Sequence, residues 1–138
     1  MAKKVEKKPE LLKLAYTENG VIINHCLIND RYPTEEFIAA LNKEEKASLV
    51  ALFKIWAQAK GHLRNGTEFK KLEDYHVAIL EFKDYQLRLA GFWRPGYNFN
   101  LVYGFKKKQD NWPKSDLNTM RGNYDAFIAE EKSRTVTT

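Results

Sequence analysis

The chain has 138 residues, a formal net charge of +5 at pH 7 and 43% hydrophobic residues, which is enough for one domain with a real core. No stretch is apolar over the length of a membrane span and the start lacks the apolar centre of a signal peptide, so a cytoplasmic protein with no membrane partner is expected. The single cysteine, Cys26, excludes an intramolecular disulfide, and its apolar surroundings predict a buried, inert thiol.

The charge is unevenly placed. Residues 1–13 hold five Lys against two Glu, and residues 14–59 hold four basic against six acidic groups. Residues 60–121 hold twelve basic against seven acidic groups, so this region is basic in its own right. A local excess of this kind favours a phosphate-bearing partner, with solubility alone as the other reading.

In chain order, residues 1–10 have little to bury and are expected to form a disordered basic tail, with a nucleic-acid arm as the sharper alternative. A single domain is expected over 11–131, with a frayed tail over 132–138. Leu11–Tyr16 and Val21–Ile28 read as strands, and Asn19-Gly20 between them is a hairpin signal. A first helix is predicted from Pro33 or Thr34 to about Leu41, with Glu35 and Glu36 in its first turn, where the helix dipole favours acids. Asn42 followed by Glu45 resembles a capping box that opens a second helix. Leu49, Leu52, Phe53 and Trp56 would form its buried stripe, and Lys60-Gly61 would stop it.

Residues 61–74 read as a basic connector with one helical turn around Glu68–Leu72. Three strands are predicted within Val77–Lys108, with Arg94-Pro95-Gly96-Tyr97 as a type II turn. Strict alternation places Ala78, Leu80, Phe82, Tyr85, Leu87, Leu89, Phe99, Leu101, Tyr103 and Phe105 on an inward face. Glu81, Lys83, Gln86, Arg88, Asn98, Asn100 and Lys106 fall on the other. That polar face, ending in Lys106-Lys107-Lys108, would meet solvent or a polyanion. A last helix is predicted from about Asn111, with Leu117, Met120, Tyr124, Phe127 and Ile128 on its apolar side. The fold class is therefore α+β: an N-terminal strand or hairpin, a two-helix hairpin on a three-to-four-stranded antiparallel sheet, and a C-terminal helix.

The three histidines are scattered, and no metal cluster, P-loop, dinucleotide fingerprint or nucleophile elbow is present, so no cofactor is expected. Trp93 and Trp112 are either anchors of the core and turns or base-stacking rings. Arg88 lies mid-strand on the polar face, either paired with Glu81 across the strands or available to a ligand.

Two stretches carry a family resemblance. GHLRNGTEFKKLED at 61–74 is similar to a connector in which Gly-x-Leu-Arg-Asn precedes Phe-Lys-Lys-Leu. LVYGFKKKQDNWPKSDL at 101–117 is similar to a last strand with Gly-Phe-x-Lys-Lys followed by Pro-Lys. With the order strand, two helices, three strands and helix, these make the chain resemble the RelE/ParE toxin superfamily, in particular its phage-derived, HigB-like branch. The resemblance covers about Thr34 to Phe127 and leaves the first 30 residues without a counterpart.

The resemblance implies a RelE-like fold and the toxin of a type II toxin–antitoxin system, an endoribonuclease that cuts messenger RNA, commonly on the ribosome. It also implies inhibition by a cognate antitoxin, here expected to be of the helix-turn-helix type. In such a reaction the 2′-OH attacks the adjacent phosphorus, so the protein must move protons and neutralise phosphorane charge. Arg88 with Lys106 or Lys107 would supply positive charge, and Glu81 would be the base. Arg64, Lys70, Lys71 and Lys108 would hold RNA. The family's strand arginine directly follows a Tyr, whereas here Tyr85 is followed by Gln86 and Arg88 comes two residues later, which leaves its register open. A member that binds without cleaving, such as a ParE-like gyrase inhibitor or a phage binding protein, is the alternative.

Overall fold

Asn19 and Gly20, at φ of 55° and 79°, turn the chain between β1 (Leu12–Glu18) and β2 (Val21–Cys26), as the Asn-Gly pair predicted. Both residues sit in the left-handed region that a tight hairpin turn demands. The computed structural model describes residues 8–62, 68–107 and 111–136. After β2 come α1 (Pro33–Ala39) and α2 (Lys43–Gln58). Asn42 accepts a hydrogen bond from the Glu45 N–H at 2.8 Å, and the Glu45 side chain accepts one from the Asn42 N–H at 3.0 Å, completing the expected capping box.

The remaining elements are β3 (Phe69–Tyr75), β4 (Val77–Asp84), β5 (Leu87–Arg94), β6 (Asn98–Lys106) and α3 (Lys114–Val136). The strands form one six-stranded sheet in the order β1-β2-β6-β5-β4-β3. All neighbouring pairs are antiparallel except β2 and β6, which run parallel. The α+β class holds, but the sheet is wider than the expected three or four strands and is mixed. Two features account for the difference. The α1–α2 hairpin carries the chain away from β2, so β6 can later enter beside β2 in the same direction. The segment expected as a helical connector is instead edge strand β3. Its Phe69, Leu72 and Tyr75 recur every third residue because Leu72 is an extra residue between Lys71 and Glu73, and because the sheet is covered on both faces.

One face carries α1 and α2. Trp56 is fully buried at its centre, with the rings of Phe69, Phe82, Trp93 and Phe99 at centroid distances of 5.3, 5.0, 5.1 and 5.5 Å. The helical stripe read from sequence, Leu49, Leu52, Phe53 and Trp56, is the buried face of α2. The opposite face is not left to solvent: α3 lays Met120, Tyr124 and Phe127 against Cys26, Ile79, Ala90, Phe92 and Val102. Cys26 is buried there, and desolvation pushes its thiol well above the ordinary range. The helix continues to Val136, into the segment expected to fray.

The alternation read along β6 changes phase at Val102. Gly91 pairs with Leu101 and Ala90 with Tyr103, so Val102 is a bulge residue. Tyr103 and Phe105 therefore join the α3 face rather than the α1–α2 face, and Lys106 points to α2, where it pairs with Glu45 at 3.0 Å. Two other expected inward residues lie outside the core. Tyr85 is 88% exposed in the β4–β5 turn at φ 55°, and Ala78 is exposed near the β3–β4 turn. Among the described residues no helix is long and apolar enough to cross a membrane.

Gly91 has no space for a side chain: a Cβ there would lie 2.5 Å from the Asn100 carbonyl oxygen and 2.7 Å from the Phe99 ring. Gly91→Ala is expected to destabilise the fold by about 1–3 kcal/mol, read as a lowered urea midpoint at unchanged m-value. Asn42→Ala, which removes the α2 cap, is expected to cost about 1 kcal/mol by the same measurement.

Candidate functional site

The polar residues of the α3 face gather where α3 gives way to the segment before it. Glu81 on β4 lies opposite Lys70 on β3, and Lys83, two residues along the same face, lies opposite Arg88 on β5. Arg88 in turn lies opposite Phe105 on β6. Beyond β6, the Lys107 N–H donates to the Gln86 carbonyl at 2.8 Å, which brings Lys107 beside the β4–β5 turn. Trp112, just before α3, donates its indole N–H to the Glu81 carboxylate and packs edge-on against Phe105 at 4.6 Å.

Four cations thus share this end of the face with one carboxylate. Their proximity registers on Lys83, whose pKa is lowered first by burial, then by the charges of Lys70 and Arg88, with Glu81 opposing and Lys107 adding to the repulsion. Lys83 is consequently a stronger acid than an ordinary lysine. Burial also lowers the Arg88 pKa, and the Glu81 charge opposes that shift. Arg88 stays charged, because a free guanidinium titrates far above neutrality.

Accessibility divides the cluster into two layers. Glu81 and Arg88 are 2% and 3% exposed, and one guanidinium nitrogen of Arg88 donates to the carbonyls of Tyr85 and Leu87 at 2.6 and 2.8 Å. Arg88 therefore braces the left-handed turn as well as facing Glu81. Lys70 is exposed, and Lys83 and Lys107 are half-buried, so these three lie nearer the surface than Glu81 and Arg88.

Of the residues singled out in the sequence, Glu81, Arg88, Lys70 and Lys107 are brought together. Lys106 is not: the β6 bulge turns it to the other face of the sheet and into the ion pair with Glu45. Lys71 is also separate, opposite Leu80 and paired with Asp74 at 2.5 Å. Arg64 and Lys108 lie outside the described residues. Lys83 was read only as a member of the polar face. Its signal was available in the i, i+2 spacing from Glu81, which puts the two side chains on one face of a strand.

Among the described residues the histidines do not join this cluster. His62 and His76 are exposed, whereas His25 is buried with Nδ1 2.6 Å from Thr34 Oγ1. Burial lowers the His25 pKa to about 4, with Glu35 opposing and Lys13 adding to the shift. On the α3 side of β2 and β6, the buried Asn24 amide donates to the Asn100 side-chain oxygen at 3.1 Å. Among the described residues no three His, Cys, Asp or Glu side chains form a group able to hold a metal ion.

Two outcomes are expected. Arg88→Met removes both turn contacts and leaves the Tyr85 and Leu87 carbonyls without this donor, so stability should fall by about 1–3 kcal/mol in urea unfolding. His25 binds its proton less readily in the folded than in the unfolded chain, so its contribution is present above pH 6.5 and is lost as pH falls toward 4. Wild type should therefore lose roughly 2 kcal/mol more than His25→Gln between pH 7.5 and 5, and parallel pH profiles would contradict the assignment. No protein-family model and no curated protein matches this chain.

Proposed function

We propose that the cationic end of the α3 face binds a phosphodiester of RNA and that the protein is an RNA-cleaving toxin of RelE/ParE type. The observation that carries this reading is the gathering of Lys70, Arg88 and Lys107 about Lys83 at one end of this face, with Glu81 opposite Lys70. Like charges held close together on a partly dry sheet face repel one another, and a polyanion relieves that repulsion.

In the proposed reaction the 2′-oxygen attacks the adjacent phosphorus, the bond from phosphorus to the 5′-oxygen breaks, and a 2′,3′-cyclic phosphate forms. Lys70 and Lys107 neutralise the non-bridging oxygens, which carry the charge that builds in the transition state. Lys83, acidified first by burial and then by its cationic neighbours, gives a proton to the departing 5′-oxygen. Glu81 takes the 2′-OH proton once substrate displaces the Trp112 N–H from it. Arg88 holds the turn in place. The antitoxin expected of such a toxin would be a further partner of the folded chain.

A second reading, a member that binds without cleaving, draws on the burial of Arg88 and Glu81, since a lysine surface above them suffices for binding.

Controlled expression in bacteria separates the two. Wild type should arrest growth and create new mRNA 5′ ends, Lys70→Ala/Lys107→Ala should do neither, and Lys106→Ala, on the opposite face, should behave as wild type. Arrest without new ends would select a binding toxin, and no arrest would remove the toxin reading and leave a binding protein without toxicity. In vitro, the double variant should lower the salt slope of RNA binding by about 0.7 per lysine removed.

A further inference from the structure

Resting on the reading that the cationic cluster holds a phosphodiester, we propose that Trp112, with Phe105 beside it, is the stacking platform for an unpaired base of single-stranded RNA. The two rings are half-buried and meet at 4.6 Å and 72°. Tyr103 completes the group, 5.8 Å from Phe105 and 6.3 Å from Trp112, with its hydroxyl held by Asp116 at 2.5 Å. Trp112 turns its N–H inward to Glu81, so the part left accessible is ring. Phe105 stands opposite Arg88 in the sheet register, which places aromatic surface and cations side by side.

That juxtaposition is the chemistry of single-strand recognition. Lysines track the backbone, and an aromatic face takes any base, because every base presents a π-face. A duplex keeps its bases stacked on one another and can offer this site only phosphates. Trp93, the other half-buried tryptophan, is a poor alternative. It is stacked on Trp56 at 5.1 Å and 16° and belongs to the opposite face of the sheet, away from the cluster. The bond from Trp112 to Glu81 gives the platform a second consequence: a base that shifts the indole also frees the carboxylate.

Fluorescence tests the platform directly. The chain has three tryptophans, of which Trp56 is fully buried, and Trp93→Phe keeps a ring against Trp56 while leaving Trp112 as the accessible reporter. This variant is titrated with 2′-O-methyl oligouridylate of about twelve nucleotides, which cannot be cleaved, with an RNA duplex of equal length, and with polyphosphate. Fluorescence anisotropy of labelled oligonucleotides reports binding separately. The single strand should quench Trp112 strongly, whereas the duplex and polyphosphate should bind with little quenching. Trp112→Ala should weaken single-strand binding about tenfold and leave duplex binding unchanged, with folding checked by thermal melting. Equal quenching by polyphosphate, or unaltered single-strand affinity in Trp112→Ala, would overturn the platform while the phosphodiester site stood. Absence of binding to any of the three would remove both.

Discussion

Val102 has no partner on β5: Leu101 pairs with Gly91 and Tyr103 with Ala90, so the side chains of β6 change faces at this point. Strand alternation is strict, and one additional residue reverses the face of everything beyond it. Before the bulge Phe99 and Leu101 pack under α2, and after it Phe105 faces α3 while Lys106 reaches Glu45 on α2. Gly91 makes the irregularity possible, since the Asn100 carbonyl and the Phe99 ring come too close for any side chain there. The aromatic half of the candidate site and the exclusion of Lys106 from it both follow from this one insertion.

Much of the fold was legible because its signals are local. The Asn19-Gly20 turn, the Asn42–Glu45 capping box and the stripe from Leu49 to Trp56 each depend on residues within a few positions of one another. What was not legible depends on partners distant in sequence. The strand β3 is stabilised by pairing with β4 and by the burial of Phe69 against Trp56 and Phe82, and its bulge gives its apolar residues a helical spacing. The parallel pairing of β2 with β6 likewise has no local mark. In the site, Glu81 and Arg88 were legible as members of one strand face, but the bond from Trp112 to Glu81 was not, because Trp112 arrives from outside the sheet. Lys106 and Lys107 show the same limit: adjacent lysines look interchangeable until the bulge sends Lys106 to the other face.

The electrostatics of the cluster follow from its layering. Burying Glu81 and Arg88 costs desolvation, which is offset by the turn carbonyls on Arg88 and the indole N–H on Glu81. Above them, burial lowers the Lys83 pKa, and the charges of Lys70, Arg88 and Lys107 add to that shift. A site of this form is fixed below and adaptable above, which suits a flexible polyanion. The rest of the surface is more evenly balanced, with Lys13–Glu35, Arg94–Glu131 and Arg121–Glu73 ion pairs tying helices to strands.

The most direct test of the central claim is the chemistry of the RNA ends left in cells that express the protein. Attack by the 2′-OH leaves fragments ending in a 2′,3′-cyclic phosphate, and these should accumulate on induction of the wild type and be absent with Lys83→Ala. Growth arrest with intact messages, or fragments bearing only 3′-hydroxyl ends, would contradict the account.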